Sequence, residues 1–177
     1  DHSMTGVKAR RLKALLFDKD GTLVDFAVTW NGAAASVLAT LAGEDDALHG
    51  RLADILHFDR ETRAIRSSSP FIGGTIVDIA AEFAPMIGIA SDDAFVRRLE
   101  QLFNAGALAS VAPIGDPASL LTLLKAEGYL LGIVTNDTES GARAQAEKLG
   151  LDHLFDAVIG YDSGHGRKPD PGQIHAF

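Results

Sequence analysis

The chain of 177 residues contains no cysteine, which excludes disulfides, a thiolate nucleophile and cysteine-ligated metals, and leaves no trace of a redox compartment. Nor does any uninterrupted apolar run approach the ~18 residues that crossing a bilayer requires. The basic start followed by LKALLF hints at a signal peptide, but Asp18 ends the apolar run too soon for one. Without such a segment the cytoplasm is the default location. DHS ahead of Met4 reads as a remnant of expression, with Met4 the native start. Positive charge is scarce: 16 Lys and Arg stand against 24 Asp and Glu, a formal net charge of −8. Long-range repulsion therefore disfavours nucleic acid or an anionic membrane as a partner. The one basic cluster, KARRLK at residues 8–13, reads as the solvated approach to a first strand. His49, His57, His153, His165 and His175 share no ligand spacing, which argues against zinc. Repeats and low-complexity tracts are lacking as well.

What is present is apolar enough to fold. A hydrophobic fraction of 46% supports a sizeable core, in one domain or a small core carrying an insertion, and excludes a disordered chain. Residues 12–17 form a short apolar run with an acidic turn behind it, the pattern of a buried strand. Helices are expected over 29–42, 44–56, 74–88 and 91–106, the last stopped by Gly106, with a loop or short hairpin at 57–70. Strand–helix alternation then takes over. A helix over 115–128 has Asp116 as its cap and Pro117 in its first turn, and is followed by a strand over 129–137. A helix at 139–149 leads to a strand at 156–162 and a last helix from Pro171. Strands near both ends, with helices between, imply an α/β fold: a parallel sheet carrying an inserted helical domain.

The chemistry gathers where the strands end. In FDKDGTLVD, residues 17–25, Asp18 and Asp20 stand two apart on an extended chain, so they point to the same side with Cα atoms roughly 7 Å apart. In a parallel α/β sheet the ligand crevice lies beyond the carboxyl ends of the strands. Two carboxylates entering it call for a cation, and oxygen donors of this kind suit Mg²⁺ with substrate phosphate oxygens. One carboxylate can act as nucleophile and the other as proton carrier. Gly21 lets the backbone pass close to a bound group, and the Thr22 hydroxyl can bond locally. Thr135 ends the second strand, in GIVTND, where a hydroxyl can hold a phosphate oxygen; Asn136 beside it is a candidate substrate contact. Lys168, in GRKPDP after the third strand, can neutralise the crowded charge. Asp25 reads as a turn residue and Asp137 as a helix cap.

These motifs, in the order carboxylates, hydroxyl, lysine, resemble those of the haloacid dehalogenase-like hydrolase superfamily. The likeness rests on residues 12–25 and 113–175. It implies a three-layer Rossmann-like parallel sheet core, 8–25 and 109–177, with an inserted α-helical cap, 26–108, as in phosphoglycolate phosphatase-like members. It further implies that Asp18 is the nucleophile and an Mg²⁺ ligand, that Asp20 is the acid/base and offers the metal its backbone carbonyl, and that Thr135 and Lys168 hold the phosphoryl group. Asp20 argues against the phosphonatase and dehalogenase branches, which carry another residue there. The family's fourth motif, an acidic pair behind a further strand, is not reached before Phe177; Asp162 ends the third strand and does not replace it. The expectation is therefore a core incomplete at its C-terminus through truncation.

The resemblance implies phosphoryl transfer from a small phosphorylated metabolite, with 2-phosphoglycolate the first candidate. It leaves open a phosphomutase of the same superfamily and a non-catalytic phosphate-binding protein. Specificity should come from the cap, where Arg60, Arg63 and Arg66 precede SSSPFIGGT; a guanidinium such as that of Arg66 can read a substrate carboxylate in bidentate fashion. Phe26 and Trp30 are candidates for the core, a hinge or the pocket wall. Nothing in the sequence sets the oligomeric state.

Overall fold

Four apolar residues form β1 (Ala14–Phe17), which pairs in parallel with β4 (Leu130–Val134) in the computed structural model, where residues 12–177 are described. DHS at the start and most of the basic cluster at 8–13 lie outside the described residues. β5 (Ala157–Ile159) pairs in parallel with the other side of β4, giving the order β1–β4–β5. The register sets Phe17 beside Ile133 and Val134 beside Ile159, so all three strands finish together at one edge. β4 and β5 are shorter than their sequence patterns suggest. Thr135 cuts β4 short, because its hydroxyl accepts the Asp137 N–H at 3.1 Å and turns the chain.

Between β1 and β4 the chain leaves the sheet to build a helical lobe. Its elements are α1 (Phe26–Ala42), α2 (Asp46–Ile55), the hairpin strands β2 (Phe58–Asp59) and β3 (Ala64–Ile65), α3 (Pro70–Gly73), α4 (Ile76–Ile87) and α5 (Asp93–Ser110). α6 (Pro117–Ala126) returns to the sheet, α7 (Glu139–Lys148) joins β4 to β5, and α8 (Gly172–Ala176) closes the described chain. Two of the helix boundaries that differ from expectation have a clear cause. Asp25, read as a turn residue, caps α1 by accepting the Val28 N–H at 3.0 Å, so that helix begins at Phe26 rather than 29. Gly106, read as a stop, lies inside α5. A Cβ placed there would come within 2.8 Å of the Ala33 Cα, so glycine at this position is what lets α5 and α1 cross closely. Tertiary packing outweighs the ~1 kcal/mol that glycine costs a helix.

Buried apolar residues fall into two clusters. One fills the helical lobe around Leu38, Leu52, Phe83, Leu99 and Phe103. The other packs α6 and α7 on the sheet through Leu121, Leu131, Ile133, Ala142 and Val158. Among the described residues no helix is long and apolar enough to cross a membrane.

Candidate active site

The chain turns sharply where β1 ends. The Lys19 carbonyl accepts the N–H groups of Leu23 at 2.9 Å and Val24 at 3.0 Å, and the Gly21 N–H reaches the Val24 carbonyl at 2.8 Å. Gly21 has φ +80, a left-handed conformation that side chains resist. This turn presents Asp18 and Asp20 to a cavity of about 360 Å³ between the sheet edge and the helical lobe. Thr135, Asn136, Asp137, Lys168 and Pro169 complete the sheet side of its wall. Phe26, Trp30, Phe71, Ile72 and Ile76 line the opposite side, together with Gly73, Gly74 and Thr75.

The two aspartates meet different partners. Asp18 Oδ1 accepts from the Lys168 ammonium at 2.6 Å and from the Lys19 N–H at 2.8 Å. No donor among the described residues reaches its Oδ2. Asp20 Oδ1 accepts from the Trp30 indole N–H at 2.7 Å and from Lys19 Nζ at 2.9 Å. Lys19, the residue between them, is buried. Its side chain is only 2% exposed, and its ammonium also reaches Asp137 at 3.1 Å and donates to the Gln145 amide oxygen at 2.7 Å. Burial pushes the Asp137 carboxyl above its ordinary range against the pull of Lys19, and the neighbouring charge of Asp20 adds to the rise.

Asp18, Asp20, Thr135, Asn136 and Lys168, all singled out in the sequence, come together here. Thr135 is buried, and its carbonyl accepts from the Gln173 side chain at 2.9 Å. Asn136 accepts the Lys168 N–H at 2.8 Å and donates to the carbonyls of Lys168 at 3.0 Å and Gly73 at 2.9 Å. It therefore fastens the lysine loop to the helical lobe. Gly21, Thr22 and Arg66 do not line the cavity. The first two belong to the turn beneath it. Arg66 faces away, its guanidinium held by Asp59 at 3.0 Å across the β2–β3 hairpin, so its proposed grip on a substrate carboxylate finds no support in this geometry. Thr138, rather than Asp137, caps α7, accepting the Gly141 N–H at 3.1 Å.

Sequence reasoning missed Lys19, Gln145 and Gln173, and underrated Asp137 and Trp30. The alternation of the extended chain, carried on past β1, is the one local hint that Lys19 turns inward; nothing local marks Gln145, 126 positions away. For a divalent cation, the free Oδ2 of Asp18 is a suitable hard donor, whereas the Asp20 carboxylate is engaged by Lys19 and Trp30, leaving its main-chain carbonyl as the available group. Among the described residues no three His, Asp or Glu side chains gather as a metal-binding group. Asp18 and Asp20 suit a cation that takes its remaining ligands from phosphate and water.

Comparison with known proteins agrees with this arrangement. The family described as haloacid dehalogenase-like hydrolase matches residues 12–177. A phosphoglycolate phosphatase from Cereibacter sphaeroides is 31% identical over 93% of this chain and 70% of its own length. One from Rhodospirillum rubrum is 32% identical over 93% of this chain and 65% of its own. The crystal structure of a predicted phosphoglycolate phosphatase from Haemophilus somnus superimposes with a TM-score of 0.62 at 19% identity, covering 93% of this chain and 69% of that one, a likeness of fold. The α/β fold and the hydrolase class expected from the sequence are both borne out. With its motifs at three adjacent strand ends and a family match that spans nearly all of its length, the chain belongs to the haloacid dehalogenase-like hydrolases.

Proposed function

We propose that the protein is a Mg²⁺-dependent phosphomonoester hydrolase working through an aspartyl-phosphate on Asp18. The observation that carries this reading is the convergence of Asp18, Asp20, Thr135 and Lys168 on one cavity from three successive strand ends. Asp18 Oδ2, free of donors among the described residues, attacks phosphorus as the bond to the alcohol oxygen breaks. Asp20, steadied by Trp30 and Lys19, gives its proton to the departing oxygen. The resulting Asp20 carboxylate then takes a proton from water, whose oxygen attacks phosphorus, returning Asp18 and releasing inorganic phosphate. The Thr135 hydroxyl and the Lys168 ammonium hold the phosphoryl oxygens throughout. Mg²⁺, held by the Asp18 carboxylate and the Asp20 main-chain carbonyl, would supply charge neutralisation at the phosphoryl group. The helical lobe acts as a cap, keeping water from the cavity while residues 8–25 and 109–177 provide the chemistry.

The test is phosphate release from a panel of small esters, with and without Mg²⁺, including the 2-phosphoglycolate for which the relatives are named. The expected outcome is release that chelation abolishes and that Asp18→Asn lowers by ~10⁴-fold or more while the circular dichroism spectrum is kept. A folded protein that releases phosphate from no ester, or an Asp18→Asn variant as active as its parent, overturns the reading in favour of a phosphomutase or a phosphate-binding protein.

A further inference from the structure

The two walls of the cavity differ in kind, and the difference bears on what leaves with the alcohol oxygen. The sheet wall holds every charged group that lines the cavity: Asp18, Asp20, Asp137 and Lys168. Facing them, the helical wall is built from rings and branched chains. Phe71 is its centre, with the Trp30 ring edge-on at 5.2 Å, Phe26 tilted at 6.3 Å and Phe103 stacked behind at 4.9 Å. Three neighbours fix this ring, so its face is preorganised.

An anionic leaving group such as glycolate is held best by a cation on this wall. Among the described residues no cation lines it. The nearby basic groups are each engaged: Arg66 by Asp59, Arg167 by Asp78, Lys19 by Asp20 and Asp137, and Lys168 by Asp18. Several of the donors at hand are engaged too. The Phe71 and Ile72 N–H groups go to Ser69, that of Gly74 to the Pro70 carbonyl, and that of Thr75 to Asp78. The Trp30 indole N–H goes to Asp20, and the Thr75 hydroxyl to Asp78. A carboxylate entering here would lose water and meet no free cation, with only the main-chain N–H groups of Gly73 and Ile76 left to receive it.

We therefore infer that the ester this site is shaped for carries an uncharged, apolar leaving alcohol, aromatic or branched aliphatic, rather than a carboxylate-bearing one. This rests on the phosphatase reading above and narrows its substrate class. A volume of about 360 Å³ has room for a phosphoryl group and a single ring.

The test compares two esters that share the CH2–O–phosphate unit, benzyl phosphate and 2-phosphoglycolate, and their non-hydrolysable counterparts, 2-phenylethylphosphonate and 3-phosphonopropionate. Binding of the phosphonates is followed by the fluorescence of Trp30, the chain's single tryptophan, which lines the cavity. The expected result is a kcat/KM at least ~10-fold higher for benzyl phosphate, and tighter binding of the phenyl phosphonate by a similar factor. Ile72→Arg, at a half-exposed position of the same wall, should narrow both ratios by placing a cation there. Faster turnover of 2-phosphoglycolate overturns the inference and leaves the phosphatase reading standing. If neither ester is turned over, the phosphatase reading is judged on the wider panel above and the titrations decide the inference: preference for the phenyl phosphonate sustains an apolar wall. Equal binding, tighter binding of 3-phosphonopropionate, or binding of neither overturns it.

Discussion

The helical lobe and the sheet lobe bury polar atoms in different ways. In the helical lobe the buried polar residues are Thr29, Ser69 and Thr75, short hydroxyls; Ser69 bonds to the Leu56 carbonyl at 2.5 Å and Thr75 to Asp78 within its own helix cap. In the sheet lobe they include Lys19, Gln145 and Gln173, long side chains that join segments far apart in the chain. A short neutral hydroxyl with a partner nearby in the chain leaves the surrounding packing apolar and interchangeable. A buried ammonium shared by two carboxylates fixes three side chains at once. The lobe that would choose the substrate is thus held by shape, and the lobe that would transform it by charge.

The comparison breaks most readily at Lys19. Lys19→Met keeps the length of the side chain but strands Asp20 and Asp137 without their shared cation, so a loss of ~3–5 kcal/mol in unfolding free energy is expected, measured by urea denaturation. A loss below 1 kcal/mol would mean that the carboxylates find other partners and that charge does not fix this lobe. The helical lobe is tested at Gly106. Gly106→Ala gains helix propensity, yet its Cβ meets Ala33, and a net destabilisation of ~1–2 kcal/mol is expected by the same measurement. Stabilisation instead would show that the α1–α5 crossing is loose.

The smallest effect concerns the seam between the lobes. Arg167, beside Lys168, grips both oxygens of Asp78 in α4 at 2.7 and 2.6 Å. Burial tends to raise the Asp78 carboxyl, but the hydrogen bonds from Arg167 and Thr75 outweigh it and hold the group below its ordinary value. A carboxyl depressed in the folded state stabilises above the unfolded value, ~3.9, and that stability fades as pH falls through the lower folded value. Because both side chains are well exposed, Asp78→Asn should cost under ~1 kcal/mol near neutrality. The gap to the parent should close below ~pH 4. A gap that widens in acid would show that Asp78 is not held by Arg167.

The sequence was informative where causes are local. The acids and hydroxyl that line the cavity follow directly on apolar strands, and the caps of α5 and α6 stand next to the helices they start. It was silent where causes are distant. Asp137 precedes a helix, so it reads as a cap until Lys19, far back in the chain, is seen to claim it. Gly106 reads as a terminator because the helix it crosses cannot be inferred from its neighbours. Arg66 reads as free until the hairpin sets Asp59 opposite it. Charge pairing across a fold leaves no periodic mark in a sequence.

Lys19 stands between two identical side chains and makes them unequal. Asp18, 47% exposed, has for its ammonium partner a lysine on a surface loop; Asp20, 21% exposed, answers to an interior lysine and an indole. One acid is free to follow a loop that can shift, and the other is anchored to the scaffold. Their individuality comes from address rather than residue type, so exchanging what lies behind them would exchange their characters while leaving the motif's acids letter-perfect.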